Sequence, residues 1–203
     1  MARSNYIKRY LSEAKSVIAN ESNPKWMRDF FTVFRDQLLT RSKDSSPGNK
    51  YIVTGSFREA FVHKLFPKRI SVKAEKMLSD FVININDESL QRLLSRKRVD
   101  FLIEGNGNLL FIEFKTNVQF NDHAAAMVEM ALLKKYIRPE YKNKIKTASL
   151  HLFPFTTNVK GLMALNKELG MPLDDSWILC TKNLEFDRQA LIDMRKSILE
   201  IIG

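Results

Sequence analysis

Apolar residues recur at helical spacing over the first forty positions of the chain. One stripe consists of Tyr6, Tyr10, Ala14, Val17 and Ile18, and a second, after Asn23 and Pro24, of Met27, Phe30, Phe31, Phe34 and Leu38. Steps of three and four residues predict two amphipathic helices. The polar segment 41–50, which contains Pro47 and Gly48, predicts a loop after them.

The next stretch predicts a strand followed by a third helix. Residues 51–53 are apolar and predict the strand. Ser56 is followed three residues later by Glu59, a spacing typical of a capping box at the start of a helix. Further on, residues 81–85 alternate as in a strand, and residues 87–96 predict a short helix.

Two apolar runs, 99–104 and 109–116, flank the sequence Gly105-Asn106-Gly107-Asn108. This arrangement predicts a β-hairpin. Symmetric closure of the turn gives three cross-strand pairs: Glu104 with Leu109, Leu102 with Phe111, and Asp100 with Glu113. Opposed side chains of such pairs have Cβ atoms about 4.5–5.5 Å apart.

Helices and strands alternate in the remainder of the chain. Asn121 and Asp122 can cap a helix that ends near Pro139 and turns Ala125, Val128, Leu132 and Tyr136 inward. Strands are predicted over 148–153 and 177–181, and a helix over 159–169. A last helix from Asp187 buries Ala190, Leu191, Met194, Ile198 and Ile201. This order predicts an α/β protein with a mixed sheet flanked by helices and a helical N-terminal segment.

The chain has 203 residues, of which 44% are hydrophobic, enough for one domain with a substantial core. We therefore expect a single domain over 1–203, with a helical part (1–50) and a core (51–203). Lys and Arg outnumber Asp and Glu by 33 to 23, and the pI is about 9.7. This excess indicates a polyanionic partner, first of all nucleic acid, with solvated lysines as the alternative.

The single cysteine, Cys180, excludes an internal disulfide and a cysteine-based zinc site. No apolar run is long enough to span a bilayer, so no membrane association is expected. The first residues lack the apolar core of a signal peptide, and we expect a cytoplasmic protein.

The predicted hairpin carries the chemistry of the chain. Side chains alternate along a strand, so Lys115 lies on the same face as Glu113 and Asp100. Opposed carboxylates repel unless a cation lies between them, which predicts a divalent-metal site beside a lysine. Glu-x-Lys also occurs at Glu13 and Glu140, but only this copy lies on a strong strand opposite an acid. The alternative is a surface ion pair between Glu113 and Lys115.

These residues resemble the PD-(D/E)XK nuclease superfamily, the fold of many restriction endonucleases. Its motif, an acid on one core strand and Glu/Asp-x-Lys on the next, is matched by Asp100 and Glu113-Phe114-Lys115, with Val99 where the family often has Pro. The resemblance implies that Asp100 and Glu113 bind Mg²⁺ and that Lys115 assists the attacking water. It also makes Glu59 the candidate for an additional catalytic acid from a preceding helix, with the capping role as the alternative.

Candidate DNA contacts are weaker. Asn117, Gln119 and Asn121 carry amides that can pair with adenine. The alternative is a turn followed by a helix cap, and this alternative is favoured for Asn121. Basic residues that could follow phosphates are Arg96, Lys97, Arg98, Lys134, Lys135, Lys142, Lys144 and Lys146. His63, His123 and His151 show no metal-ligand spacing, which favours packing or surface roles.

The resemblance implies a Mg²⁺-dependent endonuclease that acts on double-stranded DNA. The compact chain without helicase, methyltransferase or Walker motifs favours a type II restriction enzyme, which implies a homodimer on a short symmetric site. A repair or recombination nuclease of the same fold is the alternative, although His123 follows Gln119 where exonuclease-like relatives often carry Tyr. An inactive DNA-binding module is a further alternative.

Overall fold

The computed structural model describes residues 3–43, 48–116, 120–153 and 159–203. The chain divides into two compact units, Met1–Arg69 and Ile70–Gly203. The first unit thus extends beyond the boundary at residue 50 that the sequence predicted and includes a third helix, which ends at Lys64. No helix among the described residues is long and apolar enough to cross a membrane.

The N-terminal unit consists of three helices: α1 (Arg3–Ala19), α2 (Lys25–Lys43) and α3 (Asn49–Lys64). Its core is aromatic, with the rings of Phe30 and Phe57 5.4 Å apart and those of Tyr10 and Phe34 6.2 Å apart. The two predicted stripes are confirmed, since Tyr10, Ala14 and Val17 of α1 and all five predicted residues of α2 are buried. The predicted loop falls between α2 and α3, and residues 44–47 lie outside the described residues.

The beginning of the third helix was predicted wrongly. Residues 51–53 are helical, because Val53, Phe57 and Ala60 continue one buried stripe that extends the helix back to Asn49. Ser56 is buried in the middle of α3, and its hydroxyl donates a hydrogen bond of 2.7 Å to the carbonyl oxygen of Ile52. Ser56 therefore does not form a capping box with Glu59.

The second unit contains a five-stranded mixed sheet in the order β1-β2-β3-β4-β5. The strands are β1 (Ser71–Met77), β2 (Arg98–Gly105), β3 (Asn108–Lys115), β4 (Ile145–His151) and β5 (Asp175–Ile178). The first three are antiparallel, and β4 and β5 join parallel to β3. The predicted α/β class, with a mixed sheet, flanking helices and a helical N-terminal segment, is confirmed.

The strand predicted over residues 81–85 is wrong, and β1 was not predicted. Residues 81–85 form no strand, and Val82 makes only an isolated bridge to Ile137. Phe81 and Val82 instead fill the hydrophobic core. One edge of the sheet is β1, a largely exposed strand that lacks an apolar stripe and therefore gave no periodic signal.

Four helices belong to this unit: α4 (Glu88–Arg96), α5 (Phe120–Tyr136), α6 (Val159–Glu168) and α7 (Arg188–Ile202). The predicted starts of α4 and α7 are confirmed by their caps. The Asp87 carboxylate accepts from the backbone N–H groups of Ser89 and Leu90, and the Asp187 carboxylate accepts from that of Ala190. Of the residues predicted inward on α7, Leu191, Met194 and Ile198 are buried, and Ile202 replaces Ile201.

The inward face predicted for α5 was right for Leu132 and Tyr136, which pack against the core, and wrong for Ala125 and Val128, which are exposed. Its buried apolar residues are Ala126, Met127, Met130 and Leu133, whereas Val128 is about half exposed. Residues 124–126 of this helix are all alanine, so the sequence does not define a single apolar stripe. Packing against Phe111 and Leu102 of the sheet selects the face. The helix also begins at Phe120, which places Asn121 in its first turn instead of at its cap.

The sheet is covered on both faces. Leu102, Leu109 and Phe111 share one core cluster with Met127 and Met130 of α5. Asp100, Glu113 and Lys115 follow the same alternation and lie on this face. Helix α7 packs against β2, β3 and β5.

Candidate functional site

The turn of the hairpin fixes the register of the site. Asn106 and Gly107 have φ angles of 42° and 81°, as a type I′ turn requires at both central positions. The pairs Glu104–Leu109 and Leu102–Phe111 are as predicted, and the ladder continues to Phe101–Ile112. One further step along the same register reaches Asp100 and Glu113.

At this point the ladder of paired residues between β2 and β3 ends. The Asp100 carboxylate accepts a hydrogen bond of 2.9 Å from the backbone N–H of Phe114, beyond the last residue pair of the ladder. Strand β3 is paired with β4 from Leu109 to Lys115, and this pairing alone continues past Ile112. On the other side of β2, the register places Glu75 opposite Asp100, with a φ of 54° that non-glycine residues rarely adopt. The strands therefore separate where the acids lie.

Glu113 and Lys115 form a close, largely buried pair. The distance between Lys115 Nζ and Glu113 Oε2 is 3.0 Å, and the two side chains are 22% and 2% exposed. The other carboxylate oxygen of Glu113, Oε1, is buried and has no hydrogen-bond partner among the described residues. This burial contradicts the alternative of an ion pair on an exposed sheet face.

The electrostatics of the pair follow from burial and from Asp100. Burial, and then the charge of Asp100, raise the pKa of Glu113 to about 7, although Lys115 opposes the shift. Burial lowers the pKa of Lys115, but the attraction of Glu113 and the hydrogen bond to it outweigh burial, and the net direction is upward. Lys115 therefore stays protonated, and the positive charge near Glu113 is too small to offset its burial and the charge of Asp100.

The parallel strand β4 extends the polar row beyond Lys115. Ser149 and His151 are the register partners of Glu113 and Lys115, and both are buried. His151 Nε2 lies 3.1 Å from Ser149 Oγ and 3.1 Å from Nδ1 of His123 on α5. Burial, the neighbouring His123 and Lys115 lower the pKa of His151 to about 3. Its imidazole is neutral at physiological pH and adds no charge beside Lys115.

A third acid approaches from α5. Glu129 Oε1 lies 2.6 Å from Lys97 Nζ, and Glu129 Oε2 is buried without a hydrogen-bond partner among the described residues. The charge of Glu129 raises the pKa values of both Glu113 and Lys115. Lys97, predicted to contact DNA, is thus part of the electrostatic surroundings of the site.

The donor set suits one hard divalent cation. Mg²⁺ is commonly held in proteins by one or two carboxylates, with water and substrate phosphate completing the octahedron. Asp100 and Glu113 provide such a pair, and the buried Oε1 of Glu113 is an oxygen in need of a positive partner. The described residues contain no cluster of three or more His, Cys, Asp or Glu side chains able to hold a metal, so water and phosphate would supply the other ligands.

The structure brings together Asp100, Glu113 and Lys115 from the predicted site, with Lys97 nearby. Glu59 lies on α3 of the N-terminal unit, where its carboxylate accepts from Arg41 at 3.2 Å and lies 3.5 Å from His63 Nε2. Its catalytic role stays a prediction. Asn117 and Gln119 lie outside the described residues, and Asn121 is exposed in α5.

Sequence reasoning missed Glu129, Ser149 and the relation of His151 to Lys115. Thr147, Ser149 and His151 alternate with apolar residues, which was a visible signal of a polar face on β4. Nothing local indicated that this face continues the row from β3, because the pairing joins segments more than thirty residues apart. Glu129 had no sequence signal, since it depends on how α5 packs.

Comparisons with family models, with curated proteins and with solved structures found no match for this chain.

Proposed function

We propose that the protein is a Mg²⁺-dependent endonuclease of the PD-(D/E)XK type that hydrolyses phosphodiester bonds in double-stranded DNA. The observation that carries this proposal is the buried Glu113, with Asp100 and Lys115 beside it, at the point where β2 and β3 separate. Two acids and a lysine on one sheet face form the set that this chemistry requires.

The role of each side chain follows from its charge and position. Asp100 and Glu113 would hold the cation through their carboxylate oxygens. When bound, Mg²⁺ makes a water molecule more acidic and offsets negative charge at phosphorus. Lys115 is close enough to Glu113 to present its ammonium group at the same place, where it would orient the attacking water and stabilise the anionic transition state. Ser149 and His151 would support Lys115 without competing charge.

Within this class we favour a type II restriction enzyme that acts as a homodimer on a short symmetric site. The proposal rests on the compact chain with a single acid-acid-lysine set. A repair or recombination nuclease of the same type would share the site and differ in products. An inactive DNA-binding module would share only the fold.

A plasmid cleavage assay with Mg²⁺ tests the proposal. Discrete fragments support a restriction enzyme, whereas a smear or accumulated nicked circles support a less specific nuclease. We expect Asp100→Ala and Glu113→Ala to abolish cleavage while DNA binding persists, because both acids serve the cation. Glu185→Ala, which removes an exposed acid from the same unit, is the matched control and retains cleavage. Normal cleavage by Asp100→Ala or Glu113→Ala would remove that residue from the site.

A further inference from the structure

The excess positive charge of the chain is concentrated in its N-terminal helical unit. Residues 1–69 contain 14 Lys and Arg against 6 Asp and Glu, and residues 70–203 contain 19 against 17. The first unit therefore carries +8 of the formal net charge of +10. A charge excess confined to one compact unit points to a binding role for that unit.

Three of the six acidic residues of this unit form ion pairs with its own bases. Asp29 pairs with Lys25, and Asp36 accepts two hydrogen bonds from Arg35, at 2.9 and 2.7 Å. Glu59 pairs with Arg41. Half of the six acids are thus already neutralised and do little to repel an approaching polyanion.

Many bases of the unit remain available. Seven are exposed and have no ion pair among the described residues: Lys8, Lys15, Lys43, Lys50, Lys64, Lys68 and Arg69. Lys8 and Lys15 are seven residues apart, so they lie on one side of α1, opposite the buried Tyr10 and Ala14, about 10 Å from each other along the helix.

The charges of the second unit are balanced instead. Its ion pairs include Lys73–Glu104, Lys76–Asp80, Lys97–Glu129, Arg98–Glu75, Lys115–Glu113, Lys134–Asp174 and Lys196–Glu200. Apart from the site itself, this unit offers little surplus charge to attract a polyanion.

We infer that the N-terminal three-helix unit binds the phosphate backbone of duplex DNA and supplies most of the sequence-independent affinity of the protein. Lysines that neutralise phosphates release condensed counterions, and this release drives such binding. The choice of DNA among polyanions rests on the proposed function. An anionic membrane is disfavoured, because membrane-surface helices present an apolar face to lipid and the apolar faces of α1 and α2 are buried in the unit.

Two charge-matched variants of the full chain test this inference. The first carries Lys8→Gln, Lys15→Gln, Lys43→Gln and Lys64→Gln. The control carries Lys142→Gln, Lys144→Gln, Lys167→Gln and Lys182→Gln, which are exposed lysines of the second unit without ion pairs among the described residues. Lys142 and Lys144 were candidates for phosphate contact from the sequence, and the inference assigns them the smaller share of the affinity. Both sets remove four positive charges. Affinity for two duplexes of unrelated sequence is measured by fluorescence anisotropy in EDTA, over a series of salt concentrations.

We expect the first variant to lose at least about tenfold in affinity for both duplexes, and the control less than about threefold. The slope of log K against log salt should decrease in magnitude by about 0.9 for each phosphate that the variant no longer neutralises. The corresponding four Lys→Arg changes should keep wild-type affinity, because they keep the charge. The inference would be overturned if both Gln variants lost affinity equally or if the first variant lost none. It would also be overturned if the wild-type protein bound phosphatidylserine vesicles but not DNA. Since cleavage is not measured, failure of the proposed nuclease function would be a separate result.

Discussion

At the scale of single residues, Glu113 combines burial with a second carboxylate nearby. Its side chain is 2% exposed, and one of its oxygens has no hydrogen-bond partner among the described residues. A buried charge is costly unless it is paired, and the single positive charge of Lys115 can compensate only one of the two carboxylates of Glu113 and Asp100. In the absence of a cation this site therefore opposes folding, and a bound divalent ion would remove that cost.

The pH dependence of stability tests this environment. Because the folded-state pKa of Glu113 is raised from 4.5 to about 7, the folded state binds the proton more tightly than the unfolded state between these values. Stability in EDTA should then fall as pH rises from about 4.5 to 7, by an amount on the order of 3 kcal/mol for this group. Urea unfolding at several pH values measures the change.

Glu113→Gln is the control for this pH dependence, because it keeps the shape of the side chain and removes the titration. The difference in unfolding free energy between wild type and Glu113→Gln should move in favour of the variant as pH rises to 7 and remain constant above it. A difference that does not change with pH would show that Glu113 has an ordinary pKa.

Lys115 distinguishes a nuclease from a simple cation site. Lys115→Ala should lower the single-turnover cleavage rate at saturating Mg²⁺ by at least ~10²-fold, the effect of losing one positioned catalytic group. Lys115→Arg should restore the rate only in part, because a planar guanidinium does not reproduce a compact ammonium group. Calcium should support DNA binding with little cleavage, since its looser coordination positions water and phosphate poorly.

The Lys115 experiment is best performed above pH 8. Lys115 lowers the pKa of Glu113, so its removal raises that pKa further and would weaken Mg²⁺ binding at neutral pH. Lys182→Ala, an exposed lysine of the same unit, should cleave at the wild-type rate. Undiminished cleavage by Lys115→Ala at saturating Mg²⁺ would refute the assigned role.

At the scale of elements, the sequence predicted those features that depend on local chemistry. The Asn106-Gly107 turn, its register and the beginnings of α4 and α7 near residues 87 and 187 were predicted correctly, because each is decided within a few residues. The edge strand β1 and the buried face of α5 were not, because packing partners distant in sequence decide them. The site follows the same division: the hairpin supplied Asp100, Glu113 and Lys115, whereas Glu129 and His151 come from later segments.

Two glycines of the β2–β3 hairpin allow its packing to be tested by the free energy of unfolding. A Cβ on Gly105 would lie 2.2 Å from Cγ2 of Ile202 in α7 and 3.0 Å from its carbonyl oxygen. Gly105→Ala should therefore destabilise the protein by about 2–3 kcal/mol through forced repacking. Gly107 has open space around it but a φ of 81°, so Gly107→Ala should cost only about 1 kcal/mol. Urea unfolding measures both, and an equal or reversed order would contradict the packing of α7 on β2.

At the scale of the whole molecule, the net positive charge and the candidate site belong to different units of the chain. Most of the net charge lies in the N-terminal unit, and the acid-acid-lysine set lies in the second. Only one of the three Glu-x-Lys sequences lies on a strand. The other two begin at Glu13 in α1 and at Glu140 in a 3₁₀ turn, where the residues two apart do not share a strand face. One chain therefore offers a single site of this kind.

A single site per chain has a consequence for double-strand cleavage. One site hydrolyses one strand at a time, so a concerted double-strand cut at a symmetric sequence requires two chains related by a two-fold axis. Light scattering of the Asp100→Ala variant on a cognate palindromic duplex should give two chains of 23.6 kDa per duplex. Cleavage of a plasmid by the wild-type protein should yield linear product without accumulation of nicked circles. A duplex with one half-site is the control and should hold fewer chains. One chain on the palindrome, with nicked circles as the first product, would instead favour a monomeric repair-type nuclease that uses the same three residues.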